Sequence, residues 1–259
     1  MIWAEYSLIQ TCNMNLAIDI GNTRAKAGLF DGRELKEVYT WNEDYSGNIQ
    51  AVLYNQNVRN LILSSVSEEE ESLVGPSAQL ENLLILSSST PLPFKLEYKT
   101  PQTLGKDRIA AAAGAQELFP ETNLLVVDAG TCITTDVVME SGVYLGGSIA
   151  PGLRMRLKAM NQFTARLPDL MPALELVPGL PGDSTANAMQ QGALWGALLE
   201  LEGMIAHFSG LYQNLKVVIT GGDASFFVKN TKTKIFAHPN LVLFGLNKIL
   251  NYNVQRKSA

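Results

Sequence analysis

One pattern occurs twice in this chain and constrains its fold more than any other feature. An apolar strand ends in Asp, enters a glycine turn and returns as a second strand. The first copy covers residues 15–30, with Asp19 before the turn, and the second covers residues 124–139, with Asp128 before the turn. Short apolar runs bounded by glycine turns are typical of buried strands. The repeat therefore predicts an α/β protein with two homologous halves that face a cleft.

The halves separate near residues 118–123, so we predict domains at residues 14–120 and 121–259. An alanine-rich segment lies just before this boundary. Its composition and its flanking prolines predict a helix that begins near Lys106 and ends before Pro120. The remaining elements are predicted as strands at residues 59–65, 82–86 and 216–220, and as a long helix at residues 184–212 that Ser184 or Asp183 caps.

Composition excludes several classes of protein. Of the 259 residues, 46% are hydrophobic and 17% are charged, which predicts a well-buried core. The net charge of −5, without a basic stripe, argues against nucleic-acid binding. No apolar run reaches the roughly 20 residues of a membrane span, so we expect no contact with a membrane. Cys12 and Cys132 have no CxxC spacing, so we expect neither a zinc site nor a disulfide framework, and a cytoplasmic protein is the simplest interpretation.

The first residues carry none of the features of a secretory signal. Residues 1–13 lack a basic start followed by an apolar run. Because Met14 stands directly before the first strand, we interpret residues 1–13 as an N-terminal extension.

The first turn (DIGNT) carries residue types that bind phosphate groups. Asp19 at the strand end can hold a hydrated metal ion, and Gly21 lets the backbone approach a phosphate. Asn22 and Thr23 add amide and hydroxyl donors. An ordinary hairpin turn is the alternative for this motif alone, because neither a Walker loop nor a Rossmann fingerprint occurs in the chain.

The second turn (DAGT) repeats this arrangement in the other half. Asp128 is suited to a cation or a water molecule, and Thr131 offers a hydroxyl donor. Taken alone, this motif also fits a plain turn at a strand end. Two such turns on opposite sides of a cleft could hold a triphosphate, so the pair favours a function over two unrelated turns.

The motif GKDR opens the alanine-rich helix and supplies a candidate general base. Asp107 lies in the first helical turn, where the helix dipole stabilises a carboxylate, so capping is the alternative role. Even a weak base suffices for phosphoryl transfer, whose loose transition state depends mainly on positioning and on charge. Arg108 is a candidate to hold an anionic substrate group or to orient Asp107.

Two further glycine motifs are less specific. Residues 144–152 (YLGGSIAPG) predict a rigid loop without large side chains, either a pocket floor or a tight connection. Residues 220–223 (TGGD) follow a strand, and such a bare backbone suits a nucleotide at the carboxyl end of a sheet. A plain turn is the alternative for the second motif.

These motifs, in this order and spacing, resemble those of type III pantothenate kinases. DIGNT, GKDR, DAGT, GGSIAPGL, STANAMQQG and TGG all match, and the resemblance covers the chain from Met14 onward. It implies two ribonuclease-H-like halves of the actin-like ATPase superfamily. It also implies transfer of phosphate from ATP to pantothenate, giving 4′-phosphopantothenate in the first step of coenzyme A biosynthesis. ATP, Mg²⁺, a monovalent cation (K⁺ or NH₄⁺) and a homodimer are part of the same expectation.

The resemblance also implies roles for individual residues. The general base falls on Asp107 and the monovalent cation on Asp128. The nucleotide contacts fall on Asp19, Ile20, Gly21, Asn22, Thr23, Arg24, Ala25, Lys26 and Thr131. The pantothenate contacts fall on Tyr98, Gly105, Lys106, Asp107, Arg108 and Thr185, the last of which could act in a neighbouring subunit.

Two alternatives use the same scaffold. One is a phosphatase or another small-molecule kinase, but a phosphatase requires a glutamate that positions water, and Glu140 lies too far along its strand for this role. The other is a non-catalytic regulator that keeps the nucleotide fold. Retention of Asp107 and of both turns favours the kinase, since a regulator does not need a base.

Overall fold

Two mixed β-sheets organise the chain, each within its own unit. The computed structural model describes residues 14–21, 24–65, 70–75, 79–177 and 179–258. One unit contains the described residues up to Pro91 together with those from Leu246 onward, and the other is Leu92–Gly245. The predicted boundary near residues 118–123 lies within the second unit, so the domain limits given above stay a prediction. The N-terminal extension, residues 1–13, lies outside the described residues.

The first unit is built on a five-stranded sheet with the order β3-β2-β1-β4-β5. Strands β1, β2 and β3 are antiparallel, whereas β1, β4 and β5 are parallel. The central strand β1 is an almost continuous apolar run because both of its faces are covered. The elements of the first unit before Pro91 are β1 (Met14–Ile20), β2 (Ala25–Asp31), β3 (Glu34–Trp41), α1 (Tyr45–Asn55), β4 (Val58–Ser65), α2 (Glu70–Val74) and β5 (Asn82–Ile85).

A row of asparagines ties three strands of this sheet to the C-terminal helix. Asn82 donates to Asn60 at 2.8 Å, Asn60 donates to Asn15 at 2.9 Å, and Asn15 donates to Asn247 at 2.9 Å. Asn247 in turn donates to the backbone carbonyl of Gly32. Each amide therefore finds a partner, as polar groups that leave water must.

The second unit repeats the arrangement of the first. Its six-stranded sheet has the order β11-β10-β7-β8-β9-β6. Without the edge strand β6, the order and the directions match those of the first sheet, with β7 in the place of β1. This match supports the predicted duplication. The strands are β6 (Lys95–Leu96), β7 (Leu124–Ala129), β8 (Cys132–Val138), β9 (Val143–Pro151), β10 (Lys216–Thr220) and β11 (Ile235–Ala237).

The helices confirm two sequence predictions. The alanine-rich segment forms α3, and the segment from Ser184 onward is helical up to Leu211, with one π-helical turn. Ser184 caps it, since its side chain accepts a hydrogen bond from the backbone of Asn187 at 3.2 Å. The helices that follow β6 in the chain are α3 (Lys106–Leu118), α4 (Leu153–Gln162), α5 (Thr185–Gln190), α6 (Gly196–Leu211), α7 (Ala224–Asn230) and α8 (Leu241–Ser258). None of the described helices is long and apolar enough to cross a membrane.

Small residues let α3 pack closely in the second unit. A Cβ on Gly114 would lie 2.2 Å from the carbonyl oxygen of Leu241, and one on Gly245 would lie 1.7 Å from that of Ala110. No side chain fits at either position, so the backbones of α3 and of the first residues of α8 are in contact. Helix α3 also packs against β7 and β8.

The prediction of a loop at residues 144–152 was wrong, because this segment is most of strand β9. Its two glycines make room for neighbours within the unit. Gly146 has a φ of 105° and leaves space for the ring of Tyr98, whose atoms would lie 3.1 Å from an added Cβ. A Cβ on Gly147 would lie 1.6 Å from the carbonyl oxygen of Thr135. A glycine pair chosen for close packing has the same sequence signature as a turn.

Candidate active site

The turn after β1 carries opposite charges on facing strands. Asp19 on β1 is paired in register with Lys26 on β2, so their side chains share one face of the sheet. The turn closes through a hydrogen bond from the amide of Gly21 to the carbonyl of Arg24 at 3.1 Å. Arg24 is exposed, whereas Asp19 and Lys26 are partly buried. The turn therefore presents two cations and one carboxylate.

The three charges of this turn influence one another. Burial lowers the pKa of Lys26, and the nearby charge of Arg24 lowers it further, while Asp19 opposes the shift. A pair of neighbouring cations is relieved when an anion binds between them. The arrangement is thus suited to a polyanion.

Other residues predicted to contact the nucleotide differ in what they can offer. The side chains of Ile20 and Ala25 are buried in the core of the first unit, so only their backbone atoms are available to a ligand. Asn22 and Thr23 lie outside the described residues.

The equivalent turn after β7 presents hydroxyl groups where the first presents cations. Asp128 is paired with Thr134 on β8 and with Thr220 on β10. Thr131 is exposed at the tip of the turn, and its carbonyl accepts a hydrogen bond from Gly152 at 3.1 Å. A carboxylate among hydroxyl and carbonyl oxygens is the type of site that hard cations prefer.

The TGGD motif completes this edge of the second sheet. Gly221 has a φ of 99°, and a Cβ on it would lie 2.4 Å from the carbonyl oxygen of Ala129. The same oxygen accepts a hydrogen bond from the amide of Asp223 at 2.9 Å. Burial raises the pKa of Asp223. Bare backbone thus borders the carboxyl ends of β7 and β10, where ligands bind in open α/β sheets.

Helix α3 places Asp107 at this same edge. Residues 119–123 connect α3 to β7, and the helix packs on that strand, so the two run in opposite directions. Both are about 20 Å long, which brings the N-terminus of α3 to the carboxyl end of β7. The general-base candidate Asp107 and the cation candidate Asp128 are therefore at one edge of the second unit.

The side chain of Asp128 also lies on the same face of the second sheet as helix α3, which carries Asp107. Asp128 faces Thr134, and Asp136 lies two residues further along β8 on the same face. Asp136 accepts hydrogen bonds from Arg108 of α3, whereas Thr135 points to the opposite face and reaches Met204 of α6. The side chain of Asp128 is thus on the face that α3 covers.

Arg108 forms a buried ion pair that sequence reasoning missed. Its Nη2 donates to Oδ1 of Asp136 at 2.6 Å, and its Nε donates to Oδ2 at 3.1 Å. The hydroxyl of Tyr144 donates to the same Oδ1 at 2.5 Å, and the ring of Tyr98 lies edge-on to that of Tyr144. Only 5% of Arg108, 1% of Asp136 and none of Tyr144 is exposed. We refer to these three residues as the Arg108 cluster.

Burial and charge act in opposite directions on the pKa of Arg108, whereas both raise the pKa of Tyr144. Burial alone would lower the pKa of Arg108, but its hydrogen bonds to Asp136 and the charge of that carboxylate outweigh the effect and raise it. Burial and the Asp136 carboxylate raise the pKa of Tyr144. The guanidinium therefore keeps its proton, and the phenol remains a donor at neutral pH.

The carboxylate of Asp107 is exposed and is fixed at one oxygen. Its Oδ1 accepts a hydrogen bond from the backbone amide of Arg108 at 2.9 Å. A Cβ on Gly105 would lie 2.4 Å from Oδ1, so the carboxylate would have to leave this position if residue 105 had a side chain. Among the described residues, no donor bonds to Oδ2. One oxygen of Asp107 is thus held by its own helix, and the other is available.

The structure brings most of the predicted pantothenate contacts together. Tyr98, Gly105, Asp107 and Arg108 meet at the start of α3, and Lys106 is the first residue of that helix. Thr185 is exposed in the first turn of α5, and within the described ranges its side chain bonds to none of them. No group of three or more His, Cys, Asp or Glu side chains among the described residues could hold a metal ion by itself.

Comparison with known proteins identifies a family with a matching activity. The sequence profile described as "Type III pantothenate kinase" matches residues 15–207. A type III pantothenate kinase from Bacteroides fragilis is 46% identical over 244 residues, covering 93% of this chain and 98% of the relative. One from Christiangramia forsetii is 42% identical over 242 residues, covering 93% and 99%.

A solved structure supports the fold. The activator of the 2-hydroxyisocaproyl-CoA dehydratase from Clostridium difficile, solved with bound ADPNP, aligns with a TM-score of 0.53 at 11% identity. The alignment covers 95% of this chain and 98% of that one. The predicted α/β fold is therefore confirmed.

Proposed function

The chain belongs to the type III pantothenate kinase family, and we propose that Asp107 is the general base with which it phosphorylates pantothenate. Membership means that the enzyme transfers phosphate from ATP to pantothenate in coenzyme A biosynthesis, with a divalent metal. The kinase prediction is thereby confirmed, and it takes precedence over the phosphatase and the regulator. The role of Asp107 is our own proposal.

The observation that carries this proposal is the asymmetry of the Asp107 carboxylate. Oδ1 is occupied by the amide of Arg108, while Oδ2 accepts no hydrogen bond from the described residues. An exposed, oriented oxygen can accept the proton of the pantothenate hydroxyl as its oxygen attacks the γ-phosphorus. The bond to the leaving ADP oxygen breaks, and the proton stays on Asp107. Such catalysis depends on placement more than on basicity.

We propose that the first turn binds the triphosphate. Arg24 and Lys26 supply positive charge, and the backbone atoms of Ile20, Gly21 and Ala25 supply polar contacts. Asp19 would hold hydrated Mg²⁺, which needs only one or two carboxylates when phosphates provide the other ligands. Asn22 and Thr23 belong to the same proposal by family resemblance, as does Thr131 of the second turn.

We further propose that Asp128 binds the monovalent cation, K⁺ or NH₄⁺. Its neighbours in register, Thr134 and Thr220, are neutral hydroxyl residues. Neither competes with a cation for the carboxylate. Tyr98, Arg108 and Thr185 are proposed to contact pantothenate together with the start of α3, in a cytoplasmic homodimer in which Thr185 could serve the neighbouring subunit.

The variant Asp107→Asn tests the assignment of the base. We expect turnover to fall by about 10²–10⁴-fold, because the amide cannot accept the proton. ATP binding, measured by calorimetry, should remain, since the first turn is untouched. Glu117→Gln removes a carboxylate from the far end of the same helix and is the matched control. Turnover within a factor of two of wild type in Asp107→Asn would exclude the proposed role.

A further inference from the structure

The Arg108 cluster contains two residues, Asp136 and Tyr144, to which the reaction described above gives no role. The cluster is almost completely buried, and all of its bonds lie within the second unit. Asp136 comes from the middle of β8, Tyr144 comes from β9, and Arg108 comes from the first turn of α3. The cluster thus connects the helix that carries Asp107 to the sheet.

Stability is a poor explanation for such a cluster. Two charges must leave water to form a buried ion pair, and this cost offsets much of their attraction. Apolar residues of similar volume often stabilise a protein as well or better at such a site. A buried pair is useful when it fixes one geometry, because the two parallel bonds between a guanidinium and a carboxylate define both distance and orientation.

The geometry places that constraint directly beside the proposed base. The side chain of Arg108 is held by Asp136, and the backbone amide of the same residue holds Oδ1 of Asp107. The chain of bonds therefore runs from Tyr144 through Asp136 and Arg108 to the carboxylate of Asp107. A shift of Arg108 would move the amide that orients the base.

Charge gives a second reason for the pairing. A guanidinium without Asp136 would lie next to the carboxylate of Asp107 with its own charge unbalanced. It would then be drawn toward Asp107 and occupy the oxygen that must accept a proton. Asp136 satisfies Arg108 from the opposite side and leaves Oδ2 of Asp107 available.

We infer that Asp136 and Tyr144 are positioning residues for pantothenate phosphorylation, acting through Arg108 on the first turn of α3. This inference rests on the proposed role of Asp107. It predicts that changes in the cluster alter the use of pantothenate and leave the binding of ATP unchanged, because the positively charged turn after β1 is not part of the cluster.

The first test compares Asp136→Asn and Tyr144→Phe with wild type in kcat and in KM for each substrate. We expect kcat/KM for pantothenate to fall about 10–100-fold in Asp136→Asn and about 3–10-fold in Tyr144→Phe, since small misplacements of a catalytic group are costly. KM for ATP should stay within a factor of two. Thr135→Val, which alters the opposite face of the same strand, is the control and should leave both constants unchanged.

A merely structural role would give a different result. Rates for both substrates would then fall only in proportion to the folded fraction, measured by thermal unfolding and active-site titration, and the inference would be overturned. Tyr144→Phe keeps the buried ring and the ion pair, so it provides the answer if Asp136→Asn does not fold.

The second test asks whether Asp136 acts through Arg108. The variant Arg108→Met and the double variant Arg108→Met/Asp136→Leu replace the charges with apolar groups that fit a buried site. We expect the double variant to fold and to have the same kcat/KM for pantothenate as Arg108→Met. A further loss of more than about threefold would show that Asp136 acts independently and would overturn the inference.

The result for Asp107→Asn separates the two proposals. If Asp107→Asn retains full turnover, the assignment of the base fails, whatever the cluster does. If Asp107→Asn is inactive while Asp136→Asn and Tyr144→Phe use pantothenate as wild type does, only the inference about positioning fails.

Discussion

The turn after β1 and the turn after β7 occupy equivalent places in two sheets of the same strand order, yet their charges differ. In the first turn the carboxylate of Asp19 faces Lys26, and Arg24 lies close by. In the second the carboxylate of Asp128 faces Thr134 and Thr220. The two turns share the same strand arrangement but differ in the residues opposite the carboxylate.

We propose that this one difference decides which ion each turn binds. Lys26 opposite Asp19, together with Arg24, gives the first turn a net positive charge, which favours phosphate, and the Mg²⁺ proposed for Asp19 would share its ligands with that phosphate. The residues in register with Asp128, Thr134 and Thr220, are neutral, so neither places a positive charge beside this carboxylate, and we propose that this favours a cation. Under this proposal, a single cross-strand position gives the duplicated fold two distinct ion sites.

Among changes to the two turns, replacing Asp128 should have the largest effect. In Asp128→Asn we expect affinity for K⁺ to fall at least about 100-fold, since the charged ligand is lost while its neighbours remain. Turnover measured against K⁺ concentration, with Mg²⁺ and ATP saturating, gives this affinity. Asp31→Asn, at the distal end of β2, is the control. Equal activity of wild type in K⁺ and in sodium-only buffer would remove Asp128 from this role.

A lysine opposite Asp128, like the one opposite Asp19, should remove the enzyme's need for K⁺. Thr134→Lys places an ammonium group opposite Asp128, as Lys26 is opposite Asp19. We expect its activity without K⁺ to exceed that of wild type under the same conditions by about tenfold, because a tethered charge replaces the bound one. Thr134→Met has a similar length without the charge and should show no such gain. A Lys variant that still requires K⁺ would contradict the comparison.

Much of this arrangement could be predicted from local sequence. The strands β1 and β7 are continuous apolar runs, and the start of α3 follows a proline and a glycine, so both turns and Asp107 were placed correctly on their elements. These features depend on neighbours in the chain. The roles assigned to the site residues came partly from the motifs and partly from family resemblance, and they remain proposals.

What sequence reasoning missed depends on contacts between distant residues. Asp136 lies in an apolar strand without any local signal, and its partner Arg108 is 28 positions away. Gly146 and Gly147 were taken for a turn because the ring and the carbonyl that require them belong to other elements. Packing between elements that are distant in the chain sets both outcomes, and a single sequence does not display it.

A smaller effect is expected at the lysine of the first turn. Lys26→Met should raise KM for ATP about 10–100-fold, corresponding to about 1.5–3 kcal/mol for a charge-assisted contact with phosphate. Response to K⁺ should be unchanged, because the second turn is intact. Lys36→Met, an exposed position on β3, is the control. An unchanged KM for ATP would mean that Lys26 serves Asp19 and not the nucleotide.

The smallest effect concerns stability, and its sign follows from the pKa of Lys26. Burial and Arg24 hold that pKa below its usual value of 10.5. Between the folded value and 10.5 the unfolded chain binds more protons than the folded one, so stability rises with pH in this window. At neutral pH the buried charge is a cost, and Lys26→Met should unfold at higher urea concentration than wild type, by on the order of 0.5 kcal/mol after solvent screening. The gain should disappear above pH 10.5, whereas Lys36→Met should show neither change. A variant less stable than wild type at pH 7 would show that the cation is a favourable partner of Asp19, and the first turn would then be a structural ion pair.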